Sequence, residues 1–237
     1  CTYLFLLLPG IVQGKPVGGT EEINWNKTGE YVSGNSPDFP YVVSLEQFGI
    51  NFCAGSIVTK NIILTAAHCF LNGGPDPSYF SVHAGRLATE GALSPHSQVF
   101  KIKRVIIPRK YNVSSTENDL ALVRIDGKFN FTKYVNKVRL PKPSPTLPEF
   151  TRKAVSLGWG VTDTGLPARV LIKLNSTILP ESDCAKKFNY YNVKMVCAAG
   201  ENFGSACSGD SGGPLVIHDY ENPQNDLLVG IHTATRV

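Results

Sequence analysis

Three side chains in this chain have the types that nucleophilic chemistry requires: a serine hydroxyl, an imidazole and a carboxylate. Ser211 lies in the run Ser208-Gly209-Asp210-Ser211-Gly212-Gly213. These glycines permit a tight turn, on which a hydroxyl can project while backbone N–H groups face a developing oxyanion. His68 and Asp119 lie upstream in that order. They could supply the general base and the group that orients it.

Each of the three residues also has a purely structural interpretation. A Gly-rich turn around Ser211 is typical of hairpins. His68 beside Cys69 suits a core histidine packed on a disulfide, and Asp119 suits a turn at a strand edge. The catalytic interpretation depends on the three segments occurring together, because no single one of them requires it.

Together the segments resemble the chymotrypsin-like (trypsin-family) serine proteases, in which the three residues occur in this order. The resemblance implies that Ser211 attacks the scissile carbonyl, His68 carries the proton to the leaving amine, and Asp119 orients the imidazole. It also implies an oxyanion hole formed by the backbone N–H groups of Gly209 and Ser211. The resemblance covers about residues 28 to 233 and includes the segments 40–45, 52–56, 158–160 and 228–231.

The strand pattern predicts an all-β fold. Short runs rich in β-branched and aromatic residues alternate with turn residues, and helical periodicity is scarce. The resemblance refines this to two antiparallel six-stranded β-barrels of the chymotrypsin type, with the C-terminal barrel truncated. The first barrel is expected at about 28–140 and the second at about 150–237, joined by the Pro-rich stretch 141–148. The predicted strand runs are 41–45, 56–59, 61–65, 79–82, 99–102, 120–125, 170–174, 215–217 and 227–231.

Six cysteines allow several pairings from sequence alone. The resemblance narrows them to Cys53 with Cys69 and Cys184 with Cys197. Of the two that remain, Cys1 is expected to leave with an N-terminal signal peptide, which leaves Cys207 without a partner. This odd thiol, together with a C-terminus that lacks the Ser-Trp-Gly segment and terminal helix of the family, indicates a truncated or internally deleted sequence.

The N-terminal residues have the composition of a partial signal peptide. Residues 1–14 contain a short apolar run followed by small residues suited to cleavage after Gly14. A buried strand is the alternative interpretation of the same run. Residues 15–27 form a possible propeptide before a protease domain at 28–237. Activation is expected between Lys27 and Thr28, after which the new ammonium would pair with Asp210; the segments 16–20 and 11–14 are alternative termini.

Several features favour a secreted protein. Four Asn-X-Ser/Thr sequons predict glycosylation at Asn26, Asn112, Asn130 and Asn175. The net charge is only +4 and no basic cluster is interleaved with aromatics, so nucleic acid is not an expected partner. The apolar run is too short to span a membrane. A monomer acting on polypeptides is expected, with an activating protease and protein inhibitors as further partners.

The sequence predicts no cofactor and no metal, because the remaining histidines lack ligand spacing with cysteines or acids. These are His83, His96, His218 and His232. By the resemblance, Ser205 lies at the base of the specificity pocket and Thr235 on its wall. A neutral base favours large apolar or aromatic side chains, whereas a bulky wall would favour smaller ones, as in elastase-like members of the family. A serine endopeptidase is the leading hypothesis, with a catalytically inactive, binding homologue as the alternative.

Overall fold

The computed structural model describes residues 2–7, 30–32, 37–71, 79–89, 91, 94–142, 153–162, 166–187, 194–200 and 209–236. Within these ranges the chain is built almost entirely from strands. The predictions at Asn26, Lys27, Thr28, Ser205 and Cys207 lie outside the described residues and stay predictions.

The first barrel is closed and has six antiparallel strands in the order β3-β4-β5-β8-β7-β6. It confirms the fold predicted for the first half of the chain. Inward-facing side chains alternate with outward-facing ones along β8, as the strand pleat requires. The strands are β3 (Val42–Gln47), β4 (Ile50–Ile57), β5 (Ile62–Thr65), β6 (Phe80–Ala84), β7 (Gln98–Ile106) and β8 (Ala121–Ile125).

The second sheet has the order β11-β1-β13-β12-β9-β10-β2, and an additional pairing of β10 with β11 closes six of these strands into a ring. Strand β2 adds to the outside of this ring by pairing with β10. The strands are β1 (Thr2–Leu7), β2 (Glu30–Tyr31), β9 (Lys153–Gly158), β10 (Ile172–Ile178), β11 (Met195–Gly200), β12 (Pro214–Ile217) and β13 (Leu227–Arg236). A short helix, α1 (Glu181–Lys187), precedes β11.

The range predicted for the second barrel, about 150–237, stays a prediction, and the second ring also includes a strand from the N-terminal end of the chain. In the described residues that range supplies five strands of the ring, and Thr2–Leu7 supplies the sixth by pairing with both β11 and β13. Unpaired strand edges expose backbone polar groups, so a strand that pairs on both sides satisfies two edges at once. Residues 2–7 therefore form a strand, which was the alternative interpretation of the apolar run at the N-terminus. A signal peptide at 1–14 stays a prediction.

The core of the first barrel continues into the face of the second ring. One apolar cluster combines barrel residues such as Val43 and Ile63 with Trp159, Val216 and Ile231 of the second half. A smaller cluster fills the interior of the second ring. The two halves are thus packed through apolar side chains, and residues near this junction can be contributed by both.

Candidate active site

His68 is fixed at the end of β5. The buried pair Ala66 and Ala67 leads from β5 into a 3-10 turn at His68–Phe70. A disulfide from Cys69 to Cys53 ties this turn to β4, with 6.4 Å between the Cα atoms. The predicted pairing Cys53–Cys69 is confirmed, as is Cys184–Cys197. The backbone of His68 is therefore held while its side chain keeps 30% of its surface exposed.

Asp119 lies at the entrance to β8 and is completely buried. Asn118 adopts a left-handed conformation, φ 57°, and its carbonyl accepts the Leu120 N–H at 2.8 Å, which turns the chain sharply. The Asp119 carboxylate accepts the backbone N–H of His68 at 2.8 Å. Its other oxygen lies 2.7 Å from Nδ1 of the same residue. With Nδ1–H donating to the carboxylate, Nε2 of a neutral ring is left as the acceptor.

Thr233 on β13 is a further hydrogen-bond partner of Asp119. Its hydroxyl donates a hydrogen bond to Oδ2, the carboxylate oxygen that also faces the His68 ring. No sequence motif identified Thr233 as a site residue. The available signal was a hydroxyl residue in an apolar, buried strand, since such a group needs a hydrogen-bond partner.

Charge and hydrogen bonding favour the ionised form of Asp119. Burial alone would raise the pKa of Asp119, but the hydrogen bonds and charge of His68 and the Thr233 hydroxyl bring it below its ordinary value. A carboxylate that stays ionised can hold the imidazole in one orientation and stabilise an imidazolium.

Ser211 lies on a tight turn from Gly209 to Gly213, immediately before β12. The turn closes through the Gly213 N–H and the Asp210 carbonyl at 2.8 Å, and the Ser211 carbonyl accepts the Ala54 N–H at 2.8 Å. Gly212 has φ 78°, and a Cβ there would overlap the side chain of Thr65 and the carbonyl of Ala54. Glycine therefore lets the turn lie against β4 and β5.

The site is assembled from both halves. The first barrel supplies His68 and Asp119, and the second ring supplies Ser211 and Thr233. Among the hydrogen bonds of the described residues, those of the His68 ring reach Asp119 and none joins it to the Ser211 hydroxyl. Such bonds are often long in ligand-free sites and shorten when substrate binds.

Asp210 points away from this turn toward the segment 158–160. Its Oδ1 accepts the Gly160 N–H at 2.8 Å. A Cβ at Gly158 or Gly160 would overlap the carboxylate, so both positions require glycine. The resemblance of 158–160 to the family thus has a steric basis, namely room for Asp210.

His232 is a buried histidine close to His68 and Asp119. Its N–H donates to the Gly213 carbonyl and its carbonyl accepts the Gly212 N–H, both at 2.9 Å, which joins β13 to the serine turn. Burial, followed by the charge of His68, lowers the pKa of His232 to about 4. The imidazole is therefore neutral at pH 7. Thr235 follows on the same strand.

In the described part of the chain, one group brings three potential metal-ligating atoms within 4.8 Å of one another: Cys53, His68 and Cys69. The two sulfurs are joined in a disulfide and cannot act as thiolate ligands. The other histidines have protein contacts: His83 with Glu46, His218 with Asp226, and His96 stacked on Tyr134.

The predicted glycosylation sites differ in exposure. Asn112 and Asn130 are exposed on loops. Asn175 lies in β10 with its side-chain oxygen buried and without a hydrogen bond among the described residues. Within the described residues, no helix is long and apolar enough to cross a bilayer.

A closed six-stranded barrel joined to a second ring, with His68, Asp119 and Ser211 where they meet, is the architecture of a chymotrypsin-like serine protease. A sequence profile of the family described as Trypsin matches residues 30–237. Hypodermin-A from Hypoderma lineatum is 34% identical over 201 residues, covering 82% of this chain and 72% of its own length. The chain therefore belongs to the trypsin family of serine endopeptidases, whose members act on polypeptides.

Proposed function

We propose that this chain is a secreted serine endopeptidase that cleaves peptide bonds through Ser211, His68 and Asp119. The supporting observation is the buried Asp119 carboxylate, which binds both the ring and the backbone of His68 at 2.7 and 2.8 Å. This leaves Nε2 of His68 as the basic nitrogen on the exposed side of the ring.

In the proposed mechanism, His68 Nε2 takes the Ser211 hydroxyl proton as Oγ attacks the scissile carbonyl carbon. The carbonyl oxygen becomes an oxyanion that the backbone N–H groups of Gly209 and Ser211 stabilise. The imidazolium then gives its proton to the leaving amine, which leaves an acyl-enzyme. Water, deprotonated by His68, attacks the ester, and the imidazolium returns that proton to Ser211 Oγ as the new carboxyl terminus is released.

We propose a preference for large apolar or aromatic side chains, supported by a neutral Ser205 at the expected pocket base. Activation by cleavage after Lys27 would free Thr28, whose ammonium would pair with Asp210. The fit of Asp210 against Gly158 and Gly160 favours a buried role for this carboxylate. Breaking such a buried pair commonly costs about 3–5 kcal/mol.

An active-site-directed organophosphonate tests the nucleophile. The full chain is secreted from eukaryotic cells, cleaved after Lys27 and incubated with the probe. We expect labelling at Ser211, located by mass spectrometry, and none in Ser211→Ala. A wild-type chain that is folded and cleaved but unlabelled would exclude the active-enzyme proposal.

The second candidate function is a binding protein with the same fold and no activity. It is favoured by Thr28-Gly29-Glu30-Tyr31, which differs from the Ile-Val-Gly-Gly that family members free on activation. This alternative predicts no hydrolysis of an aromatic peptide ester after cleavage at Lys27. Turnover that Ser211→Ala abolishes would exclude it.

A further inference from the structure

A second buried carboxylate, Asp226, lies away from the candidate active site and is surrounded by hydrogen-bond donors. The Tyr41 hydroxyl donates to its Oδ2 at 2.6 Å, and Nδ1 of His218 lies 2.9 and 3.0 Å from its two oxygens. The Asp219 N–H donates to Oδ1 at 2.9 Å. Asp226 is fully buried, and the proposed mechanism makes no use of it.

These contacts connect the two halves of the molecule. Tyr41 immediately precedes β3 of the first barrel, and its carbonyl accepts the Ile57 N–H at 2.8 Å. His218 and Asp226 stand at the two ends of the connection between β12 and β13. The Asp226 carbonyl also accepts the N–H of Arg139, from the segment that follows β8, at 3.2 Å. We call Tyr41, His218 and Asp226 the inter-barrel clamp.

The strands that the clamp holds are the two that carry the second half of the site. Strand β12 follows the Ser211 turn, and β13 carries Thr233. At the site, the turn before β12 meets the first barrel through the Ala54 N–H to Ser211 carbonyl bond, and β13 meets it through the Thr233 to Asp119 bond. The β12–β13 hairpin is thus attached to the first barrel at both ends, which fixes its orientation better than one attachment would.

A comparable network inside the first barrel provides the contrast. Glu46 is also a buried carboxylate. It lies 3.2 Å from His83 and 2.9 Å from Arg86. Those three residues belong to β3, β6 and the turn after β6. The contacts of the Glu46 carboxylate stay within the first barrel. Only Arg86 continues beyond it, through the Ala88 and Thr89 carbonyls of a segment that pairs with residues 169–171.

We infer that Asp226 is a positioning residue, which through Tyr41 and His218 holds the β12–β13 hairpin so that Ser211 meets His68 at reacting distance. The inference rests on the proposed endopeptidase function. Reaction rates depend steeply on such placement, and a displacement of about 1 Å can cost about 100-fold. Loss of the clamp should therefore lower kcat more than it changes KM.

The variants Tyr41→Phe, Asp226→Asn and their double are compared with Glu46→Gln, all in the full chain after cleavage at Lys27. Aromatic ester hydrolysis and the rate of phosphonate labelling at Ser211 are measured at a temperature where each variant is fully folded. We expect the clamp variants to lose about 10- to 100-fold in kcat with KM changed less than about 3-fold. The double should lose no more than the worse single. Glu46→Gln should lower Tm and leave kcat within about 2-fold.

Hydrogen exchange supplies a readout that does not depend on activity. Peptides covering Gly212 and Gly213 should exchange faster in folded Tyr41→Phe and Asp226→Asn, but not in Glu46→Gln. A catalytically silent wild-type chain would contradict the proposed function. The exchange comparison would still test whether the inter-barrel clamp holds the turn at Gly212 and Gly213. Unchanged exchange in the clamp variants, unchanged kcat in an active chain, or an equal loss in Glu46→Gln would overturn the inference.

Discussion

The Thr233 hydroxyl donates a hydrogen bond to the carboxylate oxygen of Asp119 that also faces the His68 ring. The two residues lie 114 positions apart, on strands of different halves of the molecule. Because Asp119 is buried, water cannot donate hydrogen bonds to its carboxylate, and groups of the protein must donate them instead. Thr233 therefore does two things: it keeps Asp119 ionised, and it fixes β13 relative to the first barrel.

Replacing Thr233 by valine should remove this bond with little change in shape. A hydrogen bond to a charged group contributes about 1.5–3 kcal/mol, so kcat/KM should fall about 10- to 100-fold. The pKa of Asp119 should rise, because one of the donors that lower it is gone. Steady-state hydrolysis of an aromatic ester measures the loss. Thr233→Ser keeps the hydroxyl and should retain most activity; equal losses in both variants would count against the role of the bond.

His232 should make the folded state sensitive to acid. Folding lowers the pKa of His232 from 6.5 to about 4, with burial as the main cause. Between these values the unfolded chain binds more protons than the folded one, so stability falls as pH is lowered through this window. Across this window the free energy of unfolding falls by about 3 kcal/mol because of His232. His232→Leu should remove this decrease, and urea unfolding at pH 7 and pH 4.5 measures the difference.

The exposed His96 provides the control for this experiment. Other groups, including His83, also contribute to acid sensitivity, because burial lowers the pKa of His83 to about 4. They are present in both wild type and His232→Leu, so the comparison isolates His232. His96→Leu should keep the wild-type dependence on pH. A His232→Leu chain with the same dependence as wild type would show that folding does not lower the pKa of His232.

The sequons should be used unequally in a secreted chain. Asn112 and Asn130 are exposed, whereas the side-chain oxygen of Asn175 is buried in strand β10. A glycan on Asn175 would have to leave the sheet, so we expect occupancy at Asn112 and Asn130 and little at Asn175. Mass spectrometry of glycopeptides from the secreted chain measures this. Asn112→Gln and Asn130→Gln should each remove one glycan, and full occupancy at Asn175 would contradict the placement of that side chain.

Runs rich in β-branched and aromatic residues predicted their strands well, and each run that the sequence indicated overlaps a strand of the structure. Strands β9 and β11 were missed because Ala, Ser, Gly and Cys carry much of their sequence. Small residues are weak strand formers by themselves, and here they serve close packing, as at Gly158 beside Asp210. Helix α1 has only seven residues, too few for a helical period to be evident.

The candidate site was predictable where its residues lie in recognisable local segments, as His68 and Asp119 do. Thr233 and Asp226 were not predictable in this way. Asp226 accepts a hydrogen bond from Tyr41, which lies 185 positions away in the sequence. The local sequence at either residue does not indicate this partner. Long-range hydrogen bonds between buried groups depend on the complete fold, which the sequence pattern alone does not specify.

Gly160→Ala should be destabilising because its Cβ would overlap the Asp210 carboxylate. Overpacking of this kind typically costs about 1–3 kcal/mol, and the displaced carboxylate would also disturb the turn that carries Ser211. Thermal unfolding and phosphonate labelling measure the two effects. The matched control is the double variant Gly160→Ala/Asp210→Ala, compared with Asp210→Ala alone. The three atoms nearest to a Cβ at 160 all belong to that carboxylate, so the alanine at 160 should cost much less without it. If it costs the same with and without Asp210, the glycine is required for backbone reasons and the fit of Asp210 does not explain it.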